Sequence, residues 1–480
     1  MTPLTTRLIA AGLLACLALP AAAQDPGEVI TRQYADGAVY EGTFLDGLQH
    51  GTGTYRLPNG FEYTGDWVQG QITGQGSARY PNGSVYEGAF EEGRPHGQGR
   101  MVFADGASYE GNWDAGRIMG QGVRRYVTGA VYTGTFDDSQ PHGQGTMERP
   151  GGHRYEGEWR HGLGEGQGRI TYPDGSVYVG GMLADERHGE GRLTNADGTV
   201  YDGEWSGDMF NGAGVLMFAN GDRREGTFAR GMLQGAGRLL LANGAIYEGD
   251  FVDDLRQGRG RLTAADGHVY TGDWVADRID GQGVMVAPDG ARYEGQFRDG
   301  VPDGQGAITY ANGSGYTGHW SEGRIEGQGR ATFTDGIVHE GQFRAGQPHG
   351  EGRMTFPDGR VYVGAMVNGL REGQGAMTYP DGTRYEGSFV GGEREGQGTI
   401  TMADGFTYTG DWRGGRIEGQ GIATYAGGDV YEGAFRDGQR VGQGTLRYTA
   451  GQVVSGRWEQ GVLVEPDPTP APETAPASDG

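Results

Sequence analysis

Apolar and polar residues follow one short pattern that returns every 23 positions. It is first complete at Tyr40-Glu41-Gly42-Thr43-Phe44 and recurs at Tyr63-Thr64-Gly65-Asp66-Trp67 and Tyr86-Glu87-Gly88-Ala89-Phe90. It continues to Val454-Ser455-Gly456-Arg457-Trp458, nineteen occurrences without an insertion or deletion. With the Tyr position as offset 0, Gly stands at +2 in all nineteen and at +11, +13 and +20 in the first eighteen, which are complete. Offset +4 is Phe, Trp or Met. Offset +15 is mostly aliphatic (Met101, Ile170, Leu193, Leu216, Ile308) and +17 mostly aromatic (Tyr80, Phe103, Tyr172, Phe218, Tyr310). Asp or Asn fills +19 in fourteen of the eighteen complete units. A strict period of this size marks a repeat array.

Each unit reads as one β-hairpin. Tyr-x-Gly-x-Phe/Trp alternates with period two and is aromatic, which predicts a strand. Offsets +11 to +17 predict a second. The link to the next unit, as in Pro173-Asp174-Gly175 or Pro357-Asp358-Gly359, suits a three-residue loop with Gly in the left-handed position. That loop sets a register: +17 faces +21, +15 the next Tyr, +13 the next +2 Gly, and +11 the next +4 ring. Rings and bare glycines then share one side of the sheet, so rings can lie over backbone. Offsets +1, +3, +14 and +16 point to the other side. The predicted fold class is all-β: an elongated, twisted antiparallel sheet of stacked 23-residue hairpins, none of which would be stable alone.

A coarser period of 46 overlies the first. Units with Trp tend to carry Arg-Ile-x-Gly-Gln-Gly (Arg117-Ile118, Arg278-Ile279, Arg324-Ile325, Arg416-Ile417), and units with Phe tend to carry Pro-His-Gly (Pro95-His96, Pro141-His142, Pro348-His349). The alternation slips once, where Phe228 is followed by Phe251.

Residues outside the array set the domain organisation. Arg7, the apolar run Leu8 to Leu19 and Ala21-Ala22-Ala23 read as a secretory signal over residues 1–23. Residues 24–39 are a leader and half a unit, with Tyr34 at +17 and Gly37 at +20. The array proper spans 40–464, about eighteen full repeats and a terminal half (Val453 to Val464). Residues 465–480 are a Pro-rich acidic tail, expected to be disordered. The lone cysteine, Cys16, lies inside the signal. The apolar run continues past it, which favours cleavage after Ala23 over lipid anchoring at Cys16. The expected location is the periplasm or the medium, with a mature chain free of cysteine and so of disulfides.

Glycine accounts for 99 of 480 residues, which in a non-periodic chain would suggest disorder. The spacing of the aromatics overrules that. The formal charge of −24, with all 39 basic residues Arg, argues against nucleic acid as a partner.

These motifs resemble the MORN (membrane occupation and recognition nexus) repeat family. Tyr155-Glu156-Gly157-Glu158-Trp159 and Arg94-Pro95-His96-Gly97-Gln98-Gly99 carry the resemblance, which extends from Glu28 to Val464. It implies an elongated antiparallel β-array used for scaffolding, self-association and attachment near membranes, sometimes beside a lipid kinase or other catalytic domain. Arg224, His339 and Val454 replace the Tyr, and Met182 and Met366 replace the ring.

The candidate chemistry is sparse. Gly162-Leu-Gly-Glu-Gly-Gln-Gly168 superficially resembles a phosphate loop, but a strand follows it where a helix is needed. His50, His96, His142 and His188 recur at +10 of alternate units, roughly 19 Å apart on strand spacing, too far to share one metal. They read as turn residues before Gly. The acidic row at +1 (Glu41, Glu87, Glu110, Glu156, Asp202, Glu248, Glu294, Glu340, Glu386, Glu432) reads as a solvated face, since calcium needs six to eight clustered oxygens. One stretch breaks the polar-face rule: Met217 and Leu240 stand at +16, with Met209, Phe210, Met232 and Leu233 nearby. Such an outward apolar patch is a candidate surface for self-association or partner binding.

The expectation is therefore a non-catalytic, exported scaffold or adaptor with no catalytic, cofactor or metal residues. Its partner would be a protein of unspecified identity or a second copy. An envelope glycan-binding protein is the alternative, and a membrane-lipid-associated protein the second. Exposed ring rows would favour glycan binding; buried ones, the scaffold.

Overall fold

The computed structural model describes residues 27–468. The signal and all but the first residues of the tail lie outside them. Among the described residues there are 39 strands and no helix, numbered β1 to β39 in chain order. The chain divides into two units, Met1–Met232 and Leu233–Gly480.

In the first unit the strands run from β1 (Ile30–Gln33) to β18 (Arg223–Ala229), and each pairs antiparallel with the next in sequence. One complete unit shows the construction. β2 (Val39–Leu45) turns at Asp46-Gly47 into β3 (Leu48–Arg56), and a loop at Pro58-Asn59-Gly60 leads into β4 (Glu62–Val68). The loop has the expected form. Leu57 N–H donates to Phe61 O at 2.9 Å, Gly60 N–H donates to Leu57 O at 3.0 Å, and Gly60 has φ +90°. The register also follows: Tyr55 faces Tyr63, Gly53 faces Gly65 and Gly51 faces Trp67. Asn59 Oδ1 accepts from Phe61 N–H at 3.0 Å. The same bond recurs at Asp105 and Asp174, which explains the Asp/Asn preference at +19 as a local Asx turn.

The second strand departs from the sequence reading. It runs from +8 to +16 and not from +11, because the turn inside each unit has only two residues. Both sit at positive φ, 53° at Asp46 and 79° at Gly47, the type I′ pattern that matches the twist of a hairpin. Phe44 faces Gln49 while Gly42 faces Gly53. Three residues, His50, Gly51 and Thr52, therefore stand against Thr43 alone. Gly51 forms this bulge at φ +75°, so the glycine at +11 is required by backbone conformation as well as by the ring opposite.

The second unit repeats the construction from β19 (Met232–Leu240) to β39 (Val462–Pro466). The last strand runs past the boundary drawn at 464: Glu465 pairs with Arg457, and Pro466 with Gly456. The core of this unit includes Tyr362, Tyr385, Tyr408, Trp412 and Tyr431.

His339 stands at a Tyr position in this unit and is fully buried. Its Nε2 lies 3.4 Å from Gln342 O, and its Nδ1 has no partner. Burial pushes its pKa down, so stability is lost as pH falls below the ordinary His range. His339→Tyr should raise stability by about 1–2 kcal/mol, the cost of one orphaned buried polar atom. The gain should widen in acid, and thermal melts at neutral and mildly acidic pH would read it.

Candidate interaction surfaces

The offset-0 tyrosines are the hubs of the core. Tyr63 is 0% exposed. Its hydroxyl donates to Asp66 O at 3.1 Å, three residues along its own strand. The ring lies over the +13 glycine of its unit: a Cβ built on Gly76 would stand 2.5 Å from Tyr63 Cε2 and from its Oη. Tyr63 meets Trp67 and Phe90 edge-on, with centroids 5.6 and 5.0 Å away. Where +4 is aromatic, the Tyr touches the +4 ring of its own unit and of the next, as Tyr86 and Tyr132 do, forming a T-shaped ladder worth about 0.5–1.5 kcal/mol per pair beyond area burial. The indoles add a polar lock. Trp67, Trp113 and Trp205 Nε1 donate to the +13 carbonyl of the preceding unit (Gly53 at 3.3 Å, Gly99 at 3.1 Å, Gly191 at 2.9 Å). Burial raises the phenol pKa throughout this row, to about 12 at Tyr40.

Offset +9 also faces the rings, which the sequence reading did not foresee. Arg187 and Arg256 stand there, 4.2 and 4.3 Å over Trp205 and Trp274, and each bonds the backbone carbonyl and carboxylate of the next turn (Asp208, Asp277). These cation–π lids close the aromatic side. The 46-residue alternation of Ile, Pro and Arg at this offset is therefore a choice of ring cover.

The histidines at +10 lie at the bulge. His50 Nδ1 accepts from Gln69 N–H at 3.5 Å, in the turn of the next unit. Gln257, Asp303 and Glu326 do the same with Ala276, Glu322 and Ala345. Offset +10 is a turn-to-turn clasp in these units, whereas Nδ1 of His142 and of His349 has no partner. Among the described residues, no three His, Cys, Asp or Glu side chains could hold a metal ion. Seven of the ten acids named at +1 lie within 4 Å of an arginine, as at Glu41–Arg56 and Glu340–Arg330. That side is a mixed-charge surface.

The apolar stretch at 209–240 does not form one face. In the first unit Met209 is 47% exposed, but Phe210, at +9, stacks on Tyr201 at 3.7 Å. Met217 and Met232 are half-buried. In the second unit Leu233, also at +9, is 0% exposed, while Leu240 is half-buried on the opposite side of β19. Phe210 and Leu233 therefore belong to the core: +9 is an even number of residues from the inward +13, and +16 an odd number. On the polar face Val179, Val363 and Ile422 are also exposed. Ile422 lies in a shallow groove of about 640 Å³ lined by Gln397, Thr409, Gln420, Glu432 and Thr445.

An all-β chain of ring-on-glycine hairpins, with side chains clasped from unit to unit, is a repeat protein. It belongs to the MORN repeat family: the family's model, MORN repeat, matches eighteen successive segments, from 40–61, 63–85 and 86–108 through to 431–453. Over 49 residues the chain is 45% identical to alsin of Rattus norvegicus, a match covering 9% of this chain and 3% of alsin. Among solved structures it is similar to the TCP10 domain of Danio rerio CPAP in complex with a peptide of Danio rerio STIL, at 16% identity, 52% and 96% coverage and a TM-score of 0.22. It is also similar to virginiamycin B lyase from Staphylococcus aureus, at 12% identity, 71% and 97% coverage and a TM-score of 0.11.

Proposed function

We propose that the chain is an exported, non-catalytic scaffold that binds a protein partner in the cell envelope. Burial of the rings carries this reading. Each aromatic at offsets 0 and +4 is committed to a glycine, a carbonyl or another ring, which leaves no open row of rings at these offsets for sugars to stack on. The mixed-charge face is open, and there the groove around Ile422 offers an apolar centre with amide and carboxylate groups around it. That composition suits a protein surface. The apolar run before Ala23 supports export.

The test is capture from native envelope extract, quantified against rising bait, in parallel with peptidoglycan and lipid vesicles. A protein should be captured saturably, and Gln420→Arg with Glu432→Arg should lower that capture several-fold. Saturable peptidoglycan or vesicle binding by the unaltered chain, untouched by those substitutions, would overturn the proposal.

A further inference from the structure

The two ends of the strand series are complementary in repeat phase. β1 (Ile30–Gln33) carries offsets +13 to +16, counted back from Tyr40. β39 (Val462–Pro466) carries +8 to +12, counted on from Val454. In every complete unit these offsets form a single strand of nine residues, as in β3. The described array therefore begins with the half-strand that it lacks at its end.

The backbone left open is complementary as well. β38 (Val453–Glu459) is paired from Val453 to Trp458 on one side, to β37 (Gln439–Arg447). On its other side β39 covers only Gly456 to Glu459, and Asp467 N–H reaches Ser455 O at 2.8 Å. Val453 and Val454 have no strand beside them there among the described residues. β1 pairs with β2 through Ile30↔Gly42, Thr31↔Glu41, Arg32↔Tyr40 and Gln33↔Val39. Tyr34 N–H donates to Ala38 O, so by strand alternation Arg32 and Ile30 turn their amides toward β2. Thr31 and Gln33 turn theirs toward the free edge.

The geometry points to head-to-tail association between copies of this chain, with β1 of one copy seated against β38 of another. The register is the one used in every complete unit: +13 to +16 opposite +2 to −1. Ile30 would face Gly456, Thr31 Ser455, Arg32 Val454 and Gln33 Val453. Pro466 and Asp467 move aside to admit β1, at the loss of one backbone pair and one hydrogen bond. Pro466 and Pro468 cannot extend the ladder themselves. Because the two edges differ, the contact is heterologous, and copies add in series rather than closing as a symmetric pair. The occupant is a second copy because its phase, its hydrogen-bonding parity and its length of four residues are all supplied by this chain. The inference deepens the scaffold reading without depending on the identity of the envelope partner.

Sedimentation velocity of the full chain over a wide concentration range tests it. The unaltered chain should show a concentration-dependent series of monomer, dimer and longer species. Thr31→Pro removes an edge-facing amide and spares the β1–β2 ladder. Ser455→Pro does the same at the other end and leaves intact the ladder between β38 and β37. Each variant alone should be monomeric, with an unchanged circular dichroism spectrum. Mixed in equal amounts they should form dimer and nothing longer, because each retains one competent end. A monomeric unaltered chain, or association unchanged in either variant, would overturn the inference. Loss of association with partner capture intact would leave the scaffold reading standing, and the reverse would separate the two in the other direction. If either variant unfolds, Thr31→N-methylthreonine by semisynthesis deletes the same amide hydrogen and gives the same readout.

Discussion

Gly76→Ala should destabilise the array locally by about 3 kcal/mol, whereas Gly47→Ala should cost about 1 kcal/mol. The contrast rests on what each new methyl meets. At Gly76 it would stand 2.5 Å from the Tyr63 ring, well inside contact distance. That ring is fully buried, held by its hydroxyl on Asp66 O and wedged between Trp67 and Phe90. It has nowhere to swing, so the methyl adds overpacking to a lost hydrogen bond worth about 1 kcal/mol. At Gly47 nothing lies within 4 Å and only the positive φ of 79° opposes a side chain. Units in a repeat array couple only to their neighbours. The damage should therefore appear in hydrogen exchange as faster opening of amides in the units that contain Tyr40, Tyr63 and Tyr86, with distant units unchanged. Equal losses at the two positions would mean that the ring does not rest on the glycine.

That contrast also marks how far the sequence could be read. The fixed distance from one Tyr to the next, with a Pro-Asn-Gly loop of known type, determines the pairing of Tyr55 with Tyr63 and of Gly53 with Gly65. The side of the sheet for offsets 0 to +4 and +13 to +17 follows from simple alternation. Three residues at His50 to Thr52 oppose one at Thr43, and because the excess is two, +9 keeps the side of +11 and +13. What the pattern does not fix is where the turn ends: the second strand starts at +8, three residues before the +11 expected from the sequence. Phe210 and Leu233 at +9 therefore lie on the strand and face the rings, whereas Met217 and Leu240 at +16 lie on its other side. The role of the His at +10 depends on the turn of the next unit, which only the fold places beside it. The charged side was only partly legible, since pairs such as Glu340 with Arg330 depend on side-chain reach across the strands.

Alkali should unfold the array in a single steep transition, beginning above about pH 10 and complete by about pH 12. The sixteen tyrosines at offset 0 all have raised pKa values with burial as the first cause, Tyr40, Tyr109 and Tyr408 reaching about 12. The folded chain therefore holds phenol protons that the unfolded chain, titrating near pH 10, releases. Below that value both states are protonated and these groups add no pH dependence. Above it the unfolded state binds fewer protons, so stability falls as pH rises. Each linked tyrosine adds up to about 1.4 kcal/mol per pH unit to the slope. Repeats share rings across their borders, as Tyr86 does with Phe90 and Trp113, so one ionised phenol weakens two units and the transition should be cooperative. Tyrosinate absorbance should rise together with the loss of the β-sheet circular dichroism signal, both displaced upward from free tyrosine. Most phenols titrating near pH 10 while the sheet signal persists would show that water reaches the offset-0 rings. The argument that these rings are unavailable to a glycan because they are committed to the core would then fail with it.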